Sequence, residues 1–323
     1  MSDNAVRRLL AALIFLTSLI VYMMTMAASV SFWDAGEFIA VSHILGIPHS
    51  PGTPMYVLVG RVFAMLPVGL SVAQRVNLLS AFTAALGVTM IYLIIVEVVR
   101  FMFGEARTAV GRIAAHAGGL VGSLFLMFSD TYWTDAIEAE VYALSAFVMG
   151  LCTYLALRWL RDPAGRAGSA ERDELKVSKG GDAAKAIADL EAQRGGHSRN
   201  LILLVLYLLS LGIGFHLGTI LVYGGIFLMI LMVKEKSFTS TELIVFTFGM
   251  AVVLADMTLH RSTPLTQGGL ALFAVLLIWC TLSKGKFALY ATLLFILGVS
   301  VHLFMFIRSF HDPAIDMVDP QNW

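Results

Sequence analysis

The sequence predicts an all-α fold, a polytopic transmembrane helical bundle of about nine spans with interfacial helices in a long first extracytoplasmic loop. Hydrophobic residues form 58% of the 323-residue chain and charged residues only 14%. That composition, with a mean hydropathy of +0.82, is too apolar for a soluble domain. Apolar runs of about 20 residues recur along the chain, and this is the length that crosses a bilayer as a helix.

The predicted spans are apolar runs that follow one another along the chain. They lie at Leu9–Ala28, Val76–Val99, Ile113–Phe128, Val141–Leu160, Leu201–Phe215, Leu217–Val233, Leu243–Leu259, Gly269–Leu282 and Phe287–Ile307. The first run is long and no small-residue cleavage pattern interrupts it, so it is interpreted as a span rather than a signal peptide. The runs at Ile113, Leu201 and Gly269 are near the lower length limit, which leaves the count open by about one.

Basic residues between the spans predict the orientation. Arg7 and Arg8 precede the first span, so the positive-inside rule places the N-terminus in the cytoplasm. The later connections on that side are basic: they contain Arg100, Arg107 and Arg112, the stretch from Arg158 to Arg199, Lys234 and Lys236, and Lys284 and Lys286. An odd number of spans leaves the C-terminus extracytoplasmic, in a multi-pass protein of a bacterial inner or plasma membrane.

The chain is predicted to form a single transmembrane domain over residues 1–323. Its first extracytoplasmic loop covers residues 29–75, and residues 308–323 begin an extracytoplasmic tail. Residues 162–200 form a solvated cytoplasmic linker with one short helix near Asp182 to Arg194, because they are rich in small residues and mixed charge. Equal totals of 22 acidic and 22 basic residues argue against a nucleic-acid partner.

The first loop carries an acidic pair close to the predicted membrane surface. Asp34 and Glu37 lie one turn apart if the segment from Asp34 to Leu45 is helical, with Asp34 as its N-cap. A carboxylate at the bilayer centre would cost about 2.5–3.5 kcal/mol, so this helix is expected at the interface, with Trp33 and Phe38 as anchors. A catalytic pair and an amphipathic helix with solvated charges are both open from this segment alone.

A stiff turn and a second short helix follow the acidic pair. The turn HSPGTP starts at His49, and its prolines restrict the backbone. The segment Met55–Leu66 is short and contains Arg61, which predicts a second interfacial or re-entrant helix. No tight cluster of histidine and carboxylate with metal-ligand spacing is visible, so no metal ligand is assigned and the use of a divalent metal stays open.

The second outer loop reads FSDTYWTDAIEAEVYAL and combines acidic residues with aromatic side chains. This combination is typical of a saccharide or peptide acceptor surface, although an aromatic belt with solvated charges fits equally well. His216 lies inside an apolar segment, where it is a functional candidate or bonds to a neighbouring helix. Arg308 lies at the outer end of the last span, where snorkelling is the plainer interpretation and lipid-phosphate binding the sharper one.

The segment WDAGEFIAVSHILGIPHSPGTPMYVLVGRVF resembles the opening loop of a family of multi-pass membrane proteins related to a eukaryotic protein O-mannosyltransferase, within the GT-C glycosyltransferase superfamily. The likeness continues through WTDAIEAEVYAL, GIGFHLGT and IRSFHDPAIDMVDPQNW, and so spans nearly the whole chain. It implies a GT-C-like transferase that moves a sugar from a polyprenyl-phosphate-linked donor to an acceptor hydroxyl on the extracytoplasmic face. The implied partners are that donor, a protein or glycan acceptor, and membrane lipid.

The same resemblance implies roles for individual residues. Asp34 would be the catalytic carboxylate that takes the proton of the acceptor hydroxyl, and Glu37 would orient the acceptor or share the proton. The leaving phosphate needs cations, and the outer-side candidates are Arg61, Arg75, Arg261 and Arg308. The candidates for contact with the acceptor or the sugar are His43, His49, Trp133, Asp135, Glu138, Glu140, Tyr142 and His216.

The sequence departs from the family in one respect. Relatives commonly continue into a soluble extracytoplasmic domain, whereas this chain stops soon after its last span, so a fragment, a short paralogue and one half of a split gene are all open. Two other functions compete with the transferase: a transporter or lipid flippase, and a membrane assembly subunit without chemistry. A transporter is expected to keep facing ionisable residues near mid-membrane. Here the acidic residues cluster in the outer loops, which favours surface chemistry.

Overall fold

The structure is a computed structural model that describes residues 2–103, 109–161, 175–179, 182–234, 236–259 and 263–322. These residues contain no β-strand, only an isolated bridge between Ile47 and Asp316, so the predicted all-α fold class is confirmed. The helices are α1 (Asp3–Thr25), α2 (Ala35–Ile44), α3 (Pro54–Ala64), α4 (Val72–Phe103), α5 (Ala109–Met127), α6 (Asp130–Ile137), α7 (Val141–Leu160), α8 (Ala183–Gly212), α9 (Leu221–Met232), α10 (Ser240–Leu259), α11 (Pro264–Ser283), α12 (Phe287–Val299) and α13 (Leu303–Ser309).

Among the described helices, 6 segments are long and apolar enough to cross a membrane. They are α1, α4, α5, α7, α11 and the consecutive helices α12 and α13 over Phe287–Ser309, and each coincides with a predicted span. The predicted runs that begin at Leu201, Leu217 and Leu243 also lie in helices, but these helices are outside that set. The total of about nine spans stays a prediction.

The contacts divide the chain into two compact units. Unit 1 comprises Met1–Leu157, Leu208–Tyr223 and Gly298–Trp323, and unit 2 comprises Arg158–Tyr207 and Gly224–Leu297. The sequence predicts one transmembrane domain over residues 1–323, and the contacts within that chain fall into these two groups.

Helix α4 forms the centre of unit 1. Its residues Ala84, Ala85 and Val88 are fully buried, and so is Tyr22 of α1 in the same cluster. Small side chains on α4 allow neighbouring helices to approach closely, as is common where lipid gives no hydrophobic driving force for helix association. At one end of α4, the Asn77 amide donates to the carbonyl groups of Ala27 (3.0 Å) and Ser29 (3.3 Å). This end of α4 therefore lies beside the start of the first loop.

The first loop folds into α2 and α3, close to the predicted helices Asp34–Leu45 and Met55–Leu66. The two helices approach closely at Gly60 of α3, where the absence of a side chain makes room for Ser42 of α2. A Cβ at position 60 would lie 2.2 Å from the Ser42 hydroxyl oxygen. The prediction that Phe38 anchors this helix in the membrane is wrong. Its side chain is only 2% exposed, and the centroid of its ring lies 5.1 Å from that of Tyr56. Phe38 points inward because the loop has a small core of its own. Trp33, the other predicted anchor, is 93% exposed.

The segment after α13 returns to the first loop. The Ile47 N–H donates to the carbonyl of Ile315 at 2.9 Å. The Arg308 guanidinium donates to the carbonyl groups of Leu45 (2.7 Å) and Ile44 (3.3 Å). Because the last carbonyl groups of a helix lack partners within the helix, Arg308 completes the carboxyl end of α2. The last helix and the first loop are thus part of one folded unit.

Unit 2 is organised around a buried carboxylate. Glu242 accepts hydrogen bonds from the Thr239 N–H (2.8 Å) and hydroxyl (3.0 Å), and from the Phe287 N–H (2.9 Å). It therefore satisfies the first turns of α10 and α12 together. The Phe287 ring stacks on Phe238 with centroids 3.9 Å apart.

The predicted cytoplasmic linker is more helical than expected in its second half. Helix α8 runs without a break from Ala183 to Gly212, so the predicted short helix near Asp182 and the predicted span at Leu201 belong to one element of 30 residues. The helix continues through Gly195 and Gly196, although glycine disfavours helix interiors, so the helical part of the predicted linker is longer than the short helix expected there. Residues 162–174 and 180–181 of the linker lie outside the described residues.

Candidate active site

Helix α2 presents an acidic residue at its start. Asp34 occupies the N-cap position, as predicted, but its side chain makes no capping hydrogen bond. The side chain is 53% exposed. Its carboxylate is therefore available to a ligand instead of being used to close the first turn of the helix, which is the usual role of aspartate at this position.

Glu37, one turn later, holds His49 in place. One Glu37 oxygen accepts the His49 backbone N–H at 2.5 Å, and the other lies 2.9 Å from Nδ1 of the same residue. The opposite ring nitrogen, Nε2, lies 3.9 Å from the Asp34 carboxylate. A carboxylate on Nδ1 fixes both the ring orientation and the tautomer, which leaves Nε2 directed toward Asp34. The ring of Phe38 lies 5.8 Å from the imidazole and covers one side of it.

The group of Asp34, Glu37 and His49 has the spacing of a cation site, which the sequence pattern did not reveal. One donor atom from each residue lies within 4.8 Å of the other two. The hydrogen bond that His49 donates to Glu37 raises the pKa of His49, and burial opposes this rise. The negative charges of Glu37, Asp34 and Glu140 add to the rise. The surrounding charge thus favours a positive species at this position, either an imidazolium or a bound cation.

The second outer loop adds acidic residues to the same region. The Ala27 N–H, at the end of α1, donates to the Ile137 carbonyl at 2.9 Å. Ser80 of α4 exchanges hydrogen bonds with the backbone of Glu140, at 3.2 and 3.3 Å. These contacts place the end of α6 beside the start of the first loop. The two predicted outer loops therefore meet on one side of unit 1.

Burial changes the acidity of this second group. Glu140 is 7% exposed, and burial, followed by the negative charges of Asp34, Asp135 and Glu138, raises its pKa to about 7. Burial and the charge of Glu138 raise the pKa of Asp135 to about 6. The influence of Asp34 on Glu140 means that the predicted catalytic and acceptor-binding carboxylates lie within electrostatic range of each other.

Three of the four predicted phosphate-binding arginines donate to backbone carbonyl groups. Arg61 donates to the carbonyl of His43, and Arg308 to carbonyl groups of the following two residues, so both lie at the carboxyl end of α2. At 1.5 Å per residue, this end is about 15 Å from Asp34. Arg75 donates to the carbonyl of Leu66 at 2.9 Å. Arg261 lies outside the described residues.

The aromatic and histidine candidates fall into separate places. His43 is exposed at the far end of α2 from Asp34. Trp133 packs against Tyr22 with ring centroids 6.0 Å apart. Tyr142 and His216 form a pair with ring centroids 5.2 Å apart, and Nδ1 of His216 accepts the Gly218 N–H at 3.0 Å. The structure therefore brings Asp34, Glu37 and His49 together and leaves His43 at the other end of α2.

Comparison with known proteins adds independent information. The family model of the protein O-mannosyl-transferase TMEM260 N-terminal domain matches residues 34–240, nearly two thirds of the chain. A protein O-mannosyl-transferase of Dictyostelium discoideum is 29% identical over 151 residues, which cover 46% of this chain and 17% of the relative. The one of Mus musculus is 29% identical over 147 residues, covering 45% of this chain and 19% of the relative. The chain thus spans less than a fifth of the length of these curated relatives. No solved structure matches the chain.

Proposed function

Because the chain belongs to the family of the protein O-mannosyl-transferase TMEM260 N-terminal domain, we propose that it is the membrane part of a glycosyltransferase. It moves a sugar from a polyprenyl-phosphate-linked donor to a hydroxyl group of a protein or glycan acceptor on the extracytoplasmic face. The names of the relatives support the reaction class, since both are protein O-mannosyl-transferases.

The observation that carries this proposal is the Asp34 carboxylate. It is exposed, makes no capping bond, and stands next to an imidazole that a second carboxylate holds in a fixed orientation. An N-terminal carboxylate that only stabilised its helix would bond to the backbone N–H groups of the first turn. The geometry of Asp34 suits a proton acceptor instead.

The proposed reaction is a displacement at the anomeric carbon, accompanied by one proton transfer. The acceptor hydroxyl oxygen attacks the anomeric carbon, forming the new glycosidic bond, while its proton passes to Asp34. The bond between the anomeric carbon and the phosphate oxygen breaks, and the polyprenyl phosphate leaves with the bonding electrons. A carboxylate positioned within hydrogen-bond distance of the hydroxyl typically contributes about 10²–10⁴ in rate.

Glu37 and His49 act as positioning residues in this scheme. Glu37 holds His49 through its backbone N–H and through Nδ1 of its imidazole. The imidazole lies close enough to Asp34 for one hydroxyl oxygen to touch both side chains. An acceptor bound between them has fewer orientations to lose at the transition state. In this scheme the acid one turn after Asp34 serves to hold His49 in place.

The leaving phosphate requires positive charge beside several carboxylates. Arg61 and Arg308 bond to the distant end of α2, about 15 Å away. Two groups beside Asp34 are suited to neutralise the phosphate: His49 in its protonated form, and a divalent cation held by Asp34, Glu37 and His49. Oxygen and imidazole ligands suit several such cations, including Mn²⁺ and Zn²⁺.

Substitution of Asp34 tests the proposal. We expect Asp34→Asn to lower the release of sugar from a polyprenyl-phosphate-linked mannose by about 10²–10⁴-fold, because the amide cannot take the proton. The measurement is donor turnover in detergent with water as the acceptor, so no further domain is needed to present a protein substrate. Binding of the unreacted donor is measured in parallel.

Asp130→Asn is the matched control, because Asp130 is an exposed acid of the second outer loop with no place in the proposed chemistry. Its turnover should equal that of the parent protein. Equal turnover of the Asp34→Asn and parent proteins would contradict the proposal, as would a parent protein that binds the donor but never cleaves it.

A further inference from the structure

Unit 1 contains a second polar region at the opposite end from Asp34. Helix α1 runs from Asp3 to Thr25, a length of about 35 Å, and Asp34 follows its far end. At the near end, the start of α1, the end of α4 and the start of α5 enclose a cavity of about 670 Å³. Its polar lining includes Asp3, Arg100, Arg112 and His116. The proposed transferase site does not use any of these residues.

An apolar cavity continues from the polar one. It has a volume of about 410 Å³ and shares Asp3, Arg112 and His116 with the first cavity. The rest of its lining is almost entirely apolar, from facing sides of α1 and α5: Val6, Leu10, Ile113, Ala117 and Leu120. Ile113 is 68% exposed, so this crevice is open on the side of α5. Together the two cavities form a polar chamber that leads into an apolar groove.

The charges in the polar chamber do not balance. Asp3 pairs with Arg100 and lies 3.0 Å from Nε2 of His116, whose Nδ1 lies 2.9 Å from the Tyr92 hydroxyl. Asp3 thus neutralises one arginine. Within the part of the chain that the structure describes, Arg112 forms no ion pair. One fixed positive charge is left over at the mouth of the chamber.

Helix geometry adds to this positive potential. The chamber is lined by Ser2, the N-cap of α1. The N-terminus of a helix carries a partial positive charge of about half an elementary unit. The start of α1 and the surplus positive charge of Arg112 therefore face the same space, a combination that favours a phosphate group.

We propose that this region binds an anionic phospholipid. Its headgroup phosphate lies in the polar chamber against Arg112 and Arg100, and one acyl chain lies in the groove between α1 and α5. A single amphiphilic ligand accounts for both the positive chamber and the apolar groove that continues from it. A free phosphate would leave the groove empty, and a neutral lipid would leave the surplus positive charge without a partner. The bound lipid would join α5 to α1 and α4 far from the transferase site.

The test measures lipid binding to the purified protein in a neutral detergent. The probes are dioleoylphosphatidylglycerol, dioleoylphosphatidylcholine and inorganic phosphate, and bound molecules are counted by native mass spectrometry. We expect the anionic lipid to bind more tightly than the zwitterionic one, and inorganic phosphate to bind weakly. Arg112→Gln should weaken binding of the anionic lipid about tenfold, because one charge-assisted contact is lost.

Matched variants separate the two halves of the site. Arg8→Gln removes an exposed arginine of α1 that lines neither cavity, and it should bind lipid as the parent does. Arg112→Lys keeps the charge and should retain most of the binding. Ala117→Leu fills the groove and should weaken lipid binding while leaving the weak binding of inorganic phosphate unchanged. Thermal unfolding without lipid identifies any variant that has lost its fold.

Three results would overturn the proposal. The two dioleoyl lipids could bind equally well, which indicates a general lipid surface. Arg112→Gln could bind the anionic lipid as tightly as Arg8→Gln does. Inorganic phosphate could displace the lipid at similar concentrations, which indicates a phosphate site without a role for the groove.

Discussion

The acidity of Glu140 depends strongly on the folded state. Its pKa is raised from an ordinary 4.5 to about 7, first by burial and then by the charge of Asp34. Between these two pH values the unfolded chain has released the proton and the native chain has kept it. Folding stability therefore falls as pH rises through this range.

Glu140→Gln should remove this dependence. We expect the variant to be more stable than the parent by about 1–3 kcal/mol near pH 8, because no charge has to be buried, and equal to it below about pH 4. The measurement is thermal unfolding in detergent, followed by intrinsic fluorescence across that pH range.

Asp130→Asn serves as the reference, since Asp130 is exposed and its charge is solvated in the native state. A Glu140→Gln protein whose advantage is the same at every pH would refute the assignment, because a packing effect does not titrate.

For single residues of the candidate site, the sequence predicts the positions that follow from spacing within one helix. The turn between Asp34 and Glu37 follows from helical periodicity alone. The arrival of His49 does not, because it is 12 residues beyond Glu37 and depends on how the intervening turn folds back. The hydrogen bond from Arg61 to the His43 carbonyl was not predictable either, because the sequence does not tell which carbonyl groups of a neighbouring helix an arginine will meet.

The packing of α2 against α3 depends on the glycine at position 60. A methyl group there would lie 2.2 Å from the Ser42 hydroxyl oxygen, a side chain whose hydroxyl is buried without a partner in the described residues. We expect Gly60→Ala to destabilise the protein by about 1–3 kcal/mol, because the helices must move apart. Thermal unfolding measures the change, and loss of donor turnover should accompany it, since α2 carries Asp34 and Glu37.

Gly118→Ala is the opposite case in a helix of the same unit. A Cβ at that position in α5 meets nothing within 4 Å, so the substitution should stabilise the helix by about 0.5–1 kcal/mol. If both variants shift stability in the same direction, close packing at Gly60 is not what determines the result.

Most helices were predictable because apolar runs and breakers are local signals. The bounds of α2, α3 and α7 lie within about two residues of the predicted ones. The inward direction of Phe38 was not predictable, since a short helix that carries its own core looks like an interfacial helix in sequence. The continuity of α8 was missed because its polar first half was interpreted as a linker.

The direction of the chain through unit 1 constrains the number of crossings. The end of α4 lies beside the start of α1, because Arg100 pairs with Asp3. Helix α7 runs beside α4 in the same direction: Phe147 lies near Gly87, and Gly150 packs on Met90 one turn further along both helices. The chain therefore leaves α7 at the Asp3 end. It is at the Asp34 end again by Gly214, whose carbonyl accepts the Met55 N–H at 2.9 Å.

This path requires a further crossing between α7 and Gly214. Of the 6 candidate spans, none lies in that interval, and α8 is the helix that leads to Gly214. An even number of crossings would leave both ends of the chain on the same side of the membrane. The segment after α13 contacts the first loop, at the Asp34 end of unit 1, whereas α1 starts at the opposite end, beside Arg100. We therefore expect an odd total, in agreement with the sequence prediction.

Cysteine labelling tests this arrangement. Cys152 and Cys280 are buried and would be replaced by serine, after which Asn4→Cys and His311→Cys each provide one exposed thiol. In right-side-out vesicles a membrane-impermeant maleimide should label position 311 and spare position 4, and both should react after the membrane is opened. Labelling of both positions in sealed vesicles would contradict an odd number of crossings.

Contacts between distant parts of the chain were the hardest feature to predict. Apolar runs and the positions of basic residues indicated the membrane class and the orientation, because these depend only on the solvent around each segment. The meeting of both outer loops with the last helix depends on contacts between distant parts of the chain, such as Asn77 with Ala27 and Arg308 with Leu45. No local pattern contains that information.

The bond from Arg308 to Leu45 joins positions 263 residues apart. At a translation rate of about 5–20 residues per second, α2 emerges from the ribosome roughly 13–50 s before Arg308 is made. During that interval the carboxyl end of α2 lacks its two hydrogen bonds from Arg308. The first loop of a nascent chain therefore gains this long-range restraint only after the last helix has been made.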